Sequence, residues 1–565
     1  MEKKRRIIVL LVLLTLSCTC LMENPTPRIT EVNGPTSKPP DRVPVVTQTR
    51  NAGITPTGNI GGITPILDKL GGKPCRGNTD FTCITLLVPL DHFNPSNSDT
   101  IAVVFAVLPA SGERYGMYVQ AFPGGPGGEG ISSAYVDYFD PGILEHYDMV
   151  FFDQRGIGLS SPLSCPVAYA AYFLDYLTTD DTVGLEGYDT PSEQTAAIEK
   201  AHDFVNQCVV EIGIDPAKLQ FYGTIQVAED IEAFRKVIGD EKFMLYGVSY
   251  GTAVAQMYAA AHADHLSGLI LDGTEDLTLT GEEKAFAQVA GFNRTLDATL
   301  KACDEDPKCA ADMRGDSAEV AYDRLANKLA EGPITYSYPL SDGTPVRRTF
   351  TFNELDLTTA YSMYSTWGRM YFLQALAAAS RGDMVPLADK FYATASIDPE
   401  TEKYIGSTTF SDTMYYSVWC TDDSYYSGTS DERSRKLMDA GQSLNGTQPR
   451  LDLDVFPLGL VCTFWPSAPS KVLITSPLVA EGVPTFVLNA TLDPATPFEE
   501  GKAVFERLEN GYHLYVEGGS HSIYGWGESC PDNYVNNFLL YGDLPLQRET
   551  ICKWDAPVIQ PYTSP

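Results

Sequence analysis

Gly247-Val248-Ser249-Tyr250-Gly251 sets a serine between two glycines, and its neighbours decide what that serine is for. The apolar run KFMLYG leads into it and the alanine-rich GTAVAQMYAAAHADH leads away. A strand passing into a helix through Gly247 and Gly251 turns sharply enough to present Ser249 on an elbow at the carboxyl edge of a sheet. A hydroxyl there needs a base, and the base needs an orienting acid. Of the seven histidines, His92, His146, His202, His262 and His265 lie before strands or in and beside helices, and His513 starts a strand. His521, in the turn GGSHS just past a strand, is the expected base. Asp493, in LDPATP just past the strand TFVLNA, is the expected acid, with Glu499 and Glu500 as alternatives in the helix-like stretch that follows. The tetrahedral oxyanion needs N–H donors aimed at it. Tyr250 supplies one, and the glycine-rich FPGGPGG turn the other, from Gly125 or, as second choice, Gly127, since Pro126 has no N–H. Phosphate loops also use glycine, but the lysine they require is absent here.

These groups need elements to carry them. CITLLVPL, TIAVVFAVLP, MYVQA and YDMVFFD read as strands; AEDIEAFRKVIG reads as an amphipathic helix with Ile231, Phe234 and Val237 or Ile238 on one side. Strand KFMLYG, the alanine-rich helix and strand LSGLILDG continue the alternation. Short apolar strands separated by helices predict an α/β fold, mainly a parallel sheet covered on both faces. The rhythm breaks after about Glu275, where stretches such as SAEVAYDRLANKLAEG and MYFLQALAAASRGD are helical, and it resumes at VPTFVLNATLD and GYHLYVEGGSH. The expected plan is a signal segment over 1–18, a Pro/Thr-rich tether over 19–74, a core in two parts over 75–280 and 471–565, and a helical cap inserted over 281–470. DQRGIGLSSP closes one strand with Asp153 and Arg155, which would brace the glycine-rich turn.

A formal net charge of −33 sets nucleic acid aside as a partner, because phosphates would be repelled. MEKKRRIIVLLVLLTLSC places basic residues before an apolar run, Ile7 to Leu16, that is too short to span a bilayer: an export signal. Its Leu-Thr-Leu-Ser-Cys ending is similar to a bacterial lipoprotein signal, in which a lipidated Cys18 would anchor the chain to a membrane at the cell surface. Of twelve cysteines, Cys18 and Cys20 go with that segment, which leaves an even number for disulfides in an oxidising compartment. Closeness in sequence suggests Cys75 with Cys83, Cys303 with Cys309 and Cys530 with Cys552; Cys165 with Cys208 and Cys420 with Cys462 remain. These spacings do not form a zinc site, and neither metal nor organic cofactor is expected.

AFPGGPGG, DQRGIGLS, YGVSYG, LDPATP and GGSHS, in this order, resemble the secreted tripeptidyl aminopeptidases and their relatives the prolyl aminopeptidases, which are α/β-hydrolases. CITLLVPLDHFNP and GTIQVAEDIEAFRKVIG resemble the same group, and the likeness runs over about residues 75 to 555. It implies an exported serine peptidase acting at a free amino terminus under a helical cap, with Ser249, Asp493 and His521 catalytic and Gly125 and Tyr250 holding the oxyanion. It also implies an acidic contact for the substrate's ammonium group, for which Glu275 in LDGTEDLT is placed. Two departures stand out. Pro123 replaces the histidine common before the paired glycines, and the last motif reads Gly-Gly-Ser-His in place of Gly-x-Gly-His. A carboxylester hydrolase on the same scaffold and a peptide-binding surface protein without turnover are the other readings of this pattern.

Overall fold

The apolar runs pair into one ten-stranded sheet in the computed structural model, which describes residues 62–121, 124–178, 190–313, 315–423, 426–451 except 446–448, 455–466, 480, 482–527 and 529–554. The signal segment, Cys18, Cys20, Pro123 and most of the tether lie outside these residues. In chain order the sheet strands are β1 (Lys73–Cys75), β2 (Asn78–Pro89), β3 (Thr100–Leu108), β4 (Gly116–Ala121) and β5 (Tyr147–Asp153). The rest are β6 (Phe243–Val248), β7 (Leu266–Asp272), β8 (Thr485–Ala490), β9 (Gly511–Val516) and β10 (Glu549–Cys552). They lie side by side as β1-β2-β3-β5-β4-β6-β7-β8-β9-β10. β1, β2, β3 and β5 pair antiparallel in succession; every pairing from β5 and β4 through to β10 is parallel. The expected mainly parallel α/β fold is the one observed.

Alternation along each strand divides its side chains between two apolar layers. Met117, Val119, Val150 and Phe152 enter one layer with Phe105 and Phe234; Tyr118, Met149 and Phe151 enter the other with Phe139 and Phe538. Each fully buried aromatic of this kind contributes about 1.5–3 kcal/mol over its exposed state. Helix α3 (Thr224–Ile238) packs on the first face with Ile238 inward and Val237 in solvent. Helix α4 (Tyr250–His262) runs from β6 back along the same face.

Between β7 and β8 the described chain is helical apart from two short hairpins. Helices α5 (Gly281–Glu305), α6 (Phe352–Met363) and α7 (Thr366–Ser380) share a separate core through Leu296, Leu355, Phe372 and Leu376. The later helices α8 (Asp412–Asp422) and α9 (Val455–Phe464) instead join the layer on the sheet, through Met414, Val418, Leu460 and Val461. Two helices that precede the nucleophile, α1 (Pro166–Thr178) and α2 (Pro191–Ile212), pack with them, because Phe204, Val205 and Cys208 of α2 form an apolar stripe facing this group. The cover over the sheet is therefore built from two stretches of chain.

Packing also begins earlier than composition suggests. Residues 62–74 fall in the expected tether, yet Thr64–Lys69 is a helix, and Ile63 and Leu67 are buried in the sheet layer. Ile66 and Leu70 pack beside them, so four aliphatic side chains at helical spacing dock a stretch flanked by glycine. The five expected disulfides are present: Cys75–Cys83, Cys165–Cys208, Cys303–Cys309, Cys420–Cys462 and Cys530–Cys552. Disulfides of this kind suit an oxidising compartment and suggest export. Among the described residues no helix is long and apolar enough to cross a membrane.

Candidate active site

Ser249 joins β6 to α4 with φ 55° and ψ −129°, a strained conformation for a residue with a side chain. The strain is held on both sides. Its N–H donates to the Asp272 carbonyl at 2.9 Å, and its carbonyl accepts from Thr252 N and Oγ1 at 2.8 and 2.7 Å. Gly247 has no room for a side chain, since a Cβ there would sit 2.4 Å from the Gly251 carbonyl oxygen. The expected elbow is thus formed, with Tyr250 opening the helix, where the first N–H groups have no partner within the helix.

The glycine-rich turn lies directly against the nucleophile. A Cβ on Gly124 would meet Ser249 Cβ at 3.1 Å and Oγ at 3.2 Å. Gly125 and Gly127 both have φ +121°, and their outer sides are closed by Phe410 and the Ser411 carbonyl. The segment Thr409–Ser411, from the insertion, pairs with this turn: Glu129 N donates to Thr409 O and Ser411 N to Gly127 O, each at 2.8 Å. Asp153, at the end of β5, accepts from Ile131 N just beyond the turn at 2.9 Å. Arg155 is fully buried in a paired interaction with Asp230 and braces other loops.

His521 and Asp493 meet as expected. His521 Nδ1 lies 2.9 Å from both carboxylate oxygens, and Asp493 also accepts from Ala495 N, Thr496 N and Thr496 Oγ1 at 2.9 to 3.0 Å. The carboxylate is buried and multiply bonded, so the neutral imidazole carries its proton on Nδ1. That leaves a lone pair on Nε2, which is buried with no hydrogen-bond partner. Burial alone would push His521 down; Asp493, with Asp272 and Glu275 further off, outweighs it and raises the pKa above the ordinary value. The ring is placed beside the elbow, because Gly273, next to the residue whose carbonyl holds Ser249 N, lies against His521 Cε1. Asp272 itself, pushed up to about 7 by burial, accepts from Ile523 N and Tyr524 N and so holds the far side of the histidine turn.

The other candidates go elsewhere. Glu499 pairs with Arg294 in solvent, and Glu500 accepts from Asp276 N. His92, His262 and His265 lie against acidic side chains, His146 against a backbone carbonyl and His202 against Asn206. His513 is buried against Asn489, with its pKa lowered by burial to about 4. Glu275 lines a pocket with Tyr250, Lys284, Trp419 and Asp423. Lys284 Nζ stands 3.5 Å from Glu275, 2.9 Å from Asp423 and 5.3 Å from the Trp419 ring centre. Asp423 keeps its second oxygen, Oδ2, buried and unpartnered. Asp422, pushed up to about 7 by burial, accepts from Thr224, whose hydroxyl touches that of Tyr250.

Sequence reasoning missed Gly124, Thr496, Lys284, Trp419, Asp422 and Asp423. Gly124 and Thr496 stood inside motifs already in view; the other four lie in or at the end of helices whose seating no motif records.

An elbow serine, a buried acid–imidazole pair past later strands and this strand order define an α/β hydrolase. Residues 121–312 match the model of the alpha/beta hydrolase fold, and residues 454–552 match that of the TAP-like protein family. The chain is 28% identical over 492 residues to the serine protease Hip1 of Mycobacterium tuberculosis, covering 84% of this chain and 89% of that one. It is 27% identical over 483 residues to carboxylesterase B of the same organism, covering 82% and 85%. It is 23% identical over 482 residues to the tripeptidyl aminopeptidase of Streptomyces lividans, covering 81% of each. The chain thus has the α/β-hydrolase fold, and its carboxyl-terminal part is similar to the TAP-like family.

Proposed function

We propose that this protein is an exported serine exopeptidase that releases residues or tripeptides from the free amino terminus of peptides. Ser249 Oγ attacks the scissile carbonyl carbon while His521 Nε2 takes its proton, and Asp493 stabilises the imidazolium through Nδ1. The oxyanion is held by the N–H of Tyr250 and by one from the glycine turn, Gly125 or Gly127. Collapse breaks the C–N bond, and His521 returns the proton to the leaving amine. Water, deprotonated by the same nitrogen, then attacks the acyl-enzyme and frees Ser249.

The observation that carries the amino-terminal part is the acidic pocket beside Tyr250. It already holds one primary ammonium, that of Lys284, between Glu275, Asp423 and the Trp419 face. Two carboxylates and an indole suit a second ammonium equally well, and Asp423 Oδ2 still lacks a donor. The first test is a serine-directed phosphonate with mass analysis of the adduct. Labelling at Ser249 alone, abolished in Ser249→Ala, supports the nucleophile; labelling elsewhere refutes it.

Similarity to carboxylesterase B favours a second reading, ester hydrolysis by the same triad. Short-chain esters beside peptide amides separate the two. Attachment through a lipidated Cys18 is a further part of the proposal, and intact mass of the mature amino terminus tests it.

A further inference from the structure

Arg369 sits in the first turn of α7, yet its side chain serves neither that helix's surface nor any acidic partner. It is buried, and no ion pair to it exists among the described residues. Its three nitrogens are spent on three separate carbonyls. Nε donates to Met363 O at 2.9 Å, at the carboxyl end of α6. Nη1 donates to Gly519 O at 2.8 Å, two residues before His521. Nη2 donates to Leu492 O at 2.7 Å, the residue before Asp493. Burying a guanidinium without a carboxylate is costly, and an apolar side chain of similar volume would hold helices together at less cost. A planar fork whose donors reach the acid loop, the base loop and the cap at once is what the cation provides in exchange.

Neighbouring bonds run the same way. His521 N donates to Tyr364 O at 2.8 Å, and Thr366 N to Ser520 Oγ at 3.1 Å. Thr295 and Gln288 of α5 reach the carbonyls of Leu492 and Ala495 at 3.2 and 3.0 Å. The Tyr364 ring meets His521 edge-on at 5.4 Å. The cap therefore grips both loops of the pair largely through main-chain atoms, and each gripped carbonyl fixes a planar peptide unit within two residues of Asp493 or His521.

We propose that Arg369 is a positioning residue for the Asp493–His521 pair, so that seating of the cap and alignment of the base on Ser249 are one event. It acts through Leu492 and Gly519 and touches no reacting atom. The inference rests on the triad reading given above, but not on the choice of peptide or ester as substrate.

The test is the pH dependence of phosphonate labelling, resolved into its maximal rate and its half-saturating concentration, in Arg369→Gln, Arg369→Lys and Ser249→Ala. The charged groups facing His521, namely Asp493, Asp272 and Glu275, stay in place in both arginine variants. Arg369→Gln removes the cation whose field acts on Asp493. Its maximal rate is expected to fall about tenfold or more, with the half-saturating concentration unchanged. Its acid limb moves up by about half a pH unit or more, since imidazolium loses a repelling neighbour. Arg369→Lys keeps the charge but loses the fork, so its rate falls while its acid limb stays. Melting temperatures near that of the parent exclude simple unfolding. Parent-like rates and limbs in folded variants overturn the inference, as does a rate that falls only in step with the folded fraction. If Arg369→Gln does not fold, Arg369→Lys decides alone, a tenfold fall supporting the inference and a parent-like rate overturning it. Labelling of Ser249→Ala would instead overturn the triad reading.

Discussion

In the proposed mechanism His521 is neutral at Nε2 and charged soon afterwards, and its surroundings suit both states. Asp493 raises its pKa above the ordinary imidazole value, so the imidazolium formed during attack is favoured. The sign follows directly. The base must start unprotonated, so kcat/KM falls as pH drops through that raised value, and half-maximal activity lies above about pH 6.5. A pH–rate profile whose acid limb lies well below 6 contradicts this. Asp493→Asn leaves a residue of the same size but offers the wrong partner to Nδ1; kcat is expected to fall about 10⁴-fold with little change in KM, measured on whichever peptide or ester the protein turns over. At this scale the sequence was readable. Serine, aspartate and histidine each followed an apolar strand, and only His521 among the histidines had that setting together with the chain order. What it did not disclose is that Thr496 shares its hydroxyl with Asp493, because a threonine after a proline-rich turn has many commoner uses.

The elbow depends on two elements passing closer than side chains allow. Gly247→Ala would bring a methyl to 2.4 Å from backbone of α4, and neither strand nor helix can yield cheaply. The expected cost is about 1–3 kcal/mol, seen as a lower urea midpoint, together with loss of activity in the folded fraction. A fully active, equally stable Gly247→Ala would refute the close approach. The sheet was legible because strands buried on both faces leave largely apolar runs, as β4 to β8 do. The cover was not. Helices α1 and α2 precede the nucleophile in sequence but pack with α8 and α9, and the stripe on α2 names a partner only once the fold is known. Thr64–Lys69 went unnoticed although Ile63, Ile66, Leu67 and Leu70 have helical spacing, because the run covers only about two turns between two glycine pairs.

The whole molecule buries an unusual set of acids under this cover. Burial first of all pushes Asp272 and Asp422 up to about 7, Asp412 to about 6, and Glu354 and Glu500 to about 8. In the unfolded chain such groups titrate near pH 4. The folded protein thus keeps protons that the unfolded chain has released, and the stability these groups add below pH 4 is lost as pH rises through 6 to 8. Glu232 runs the other way. Burial would raise it, but Arg235, Tyr258 and Lys236 prevail and hold it at about 2, so its contribution is lost only as pH falls below 4.5. With a net charge of −33 adding repulsion at higher pH, the melting temperature is expected to be several degrees higher at pH 5 than at pH 8. A higher value at pH 8 contradicts that balance. The same acidity bears on the proposed substrate choice, a free amino terminus read in the pocket of Glu275, Asp423 and Trp419. Mass analysis of the products from one peptide and its amino-acetylated twin tests it most directly. The free peptide is expected to lose residues or tripeptides from its amino terminus while the twin stays whole; equal cleavage of both, or of neither while short esters are hydrolysed, would contradict this reading.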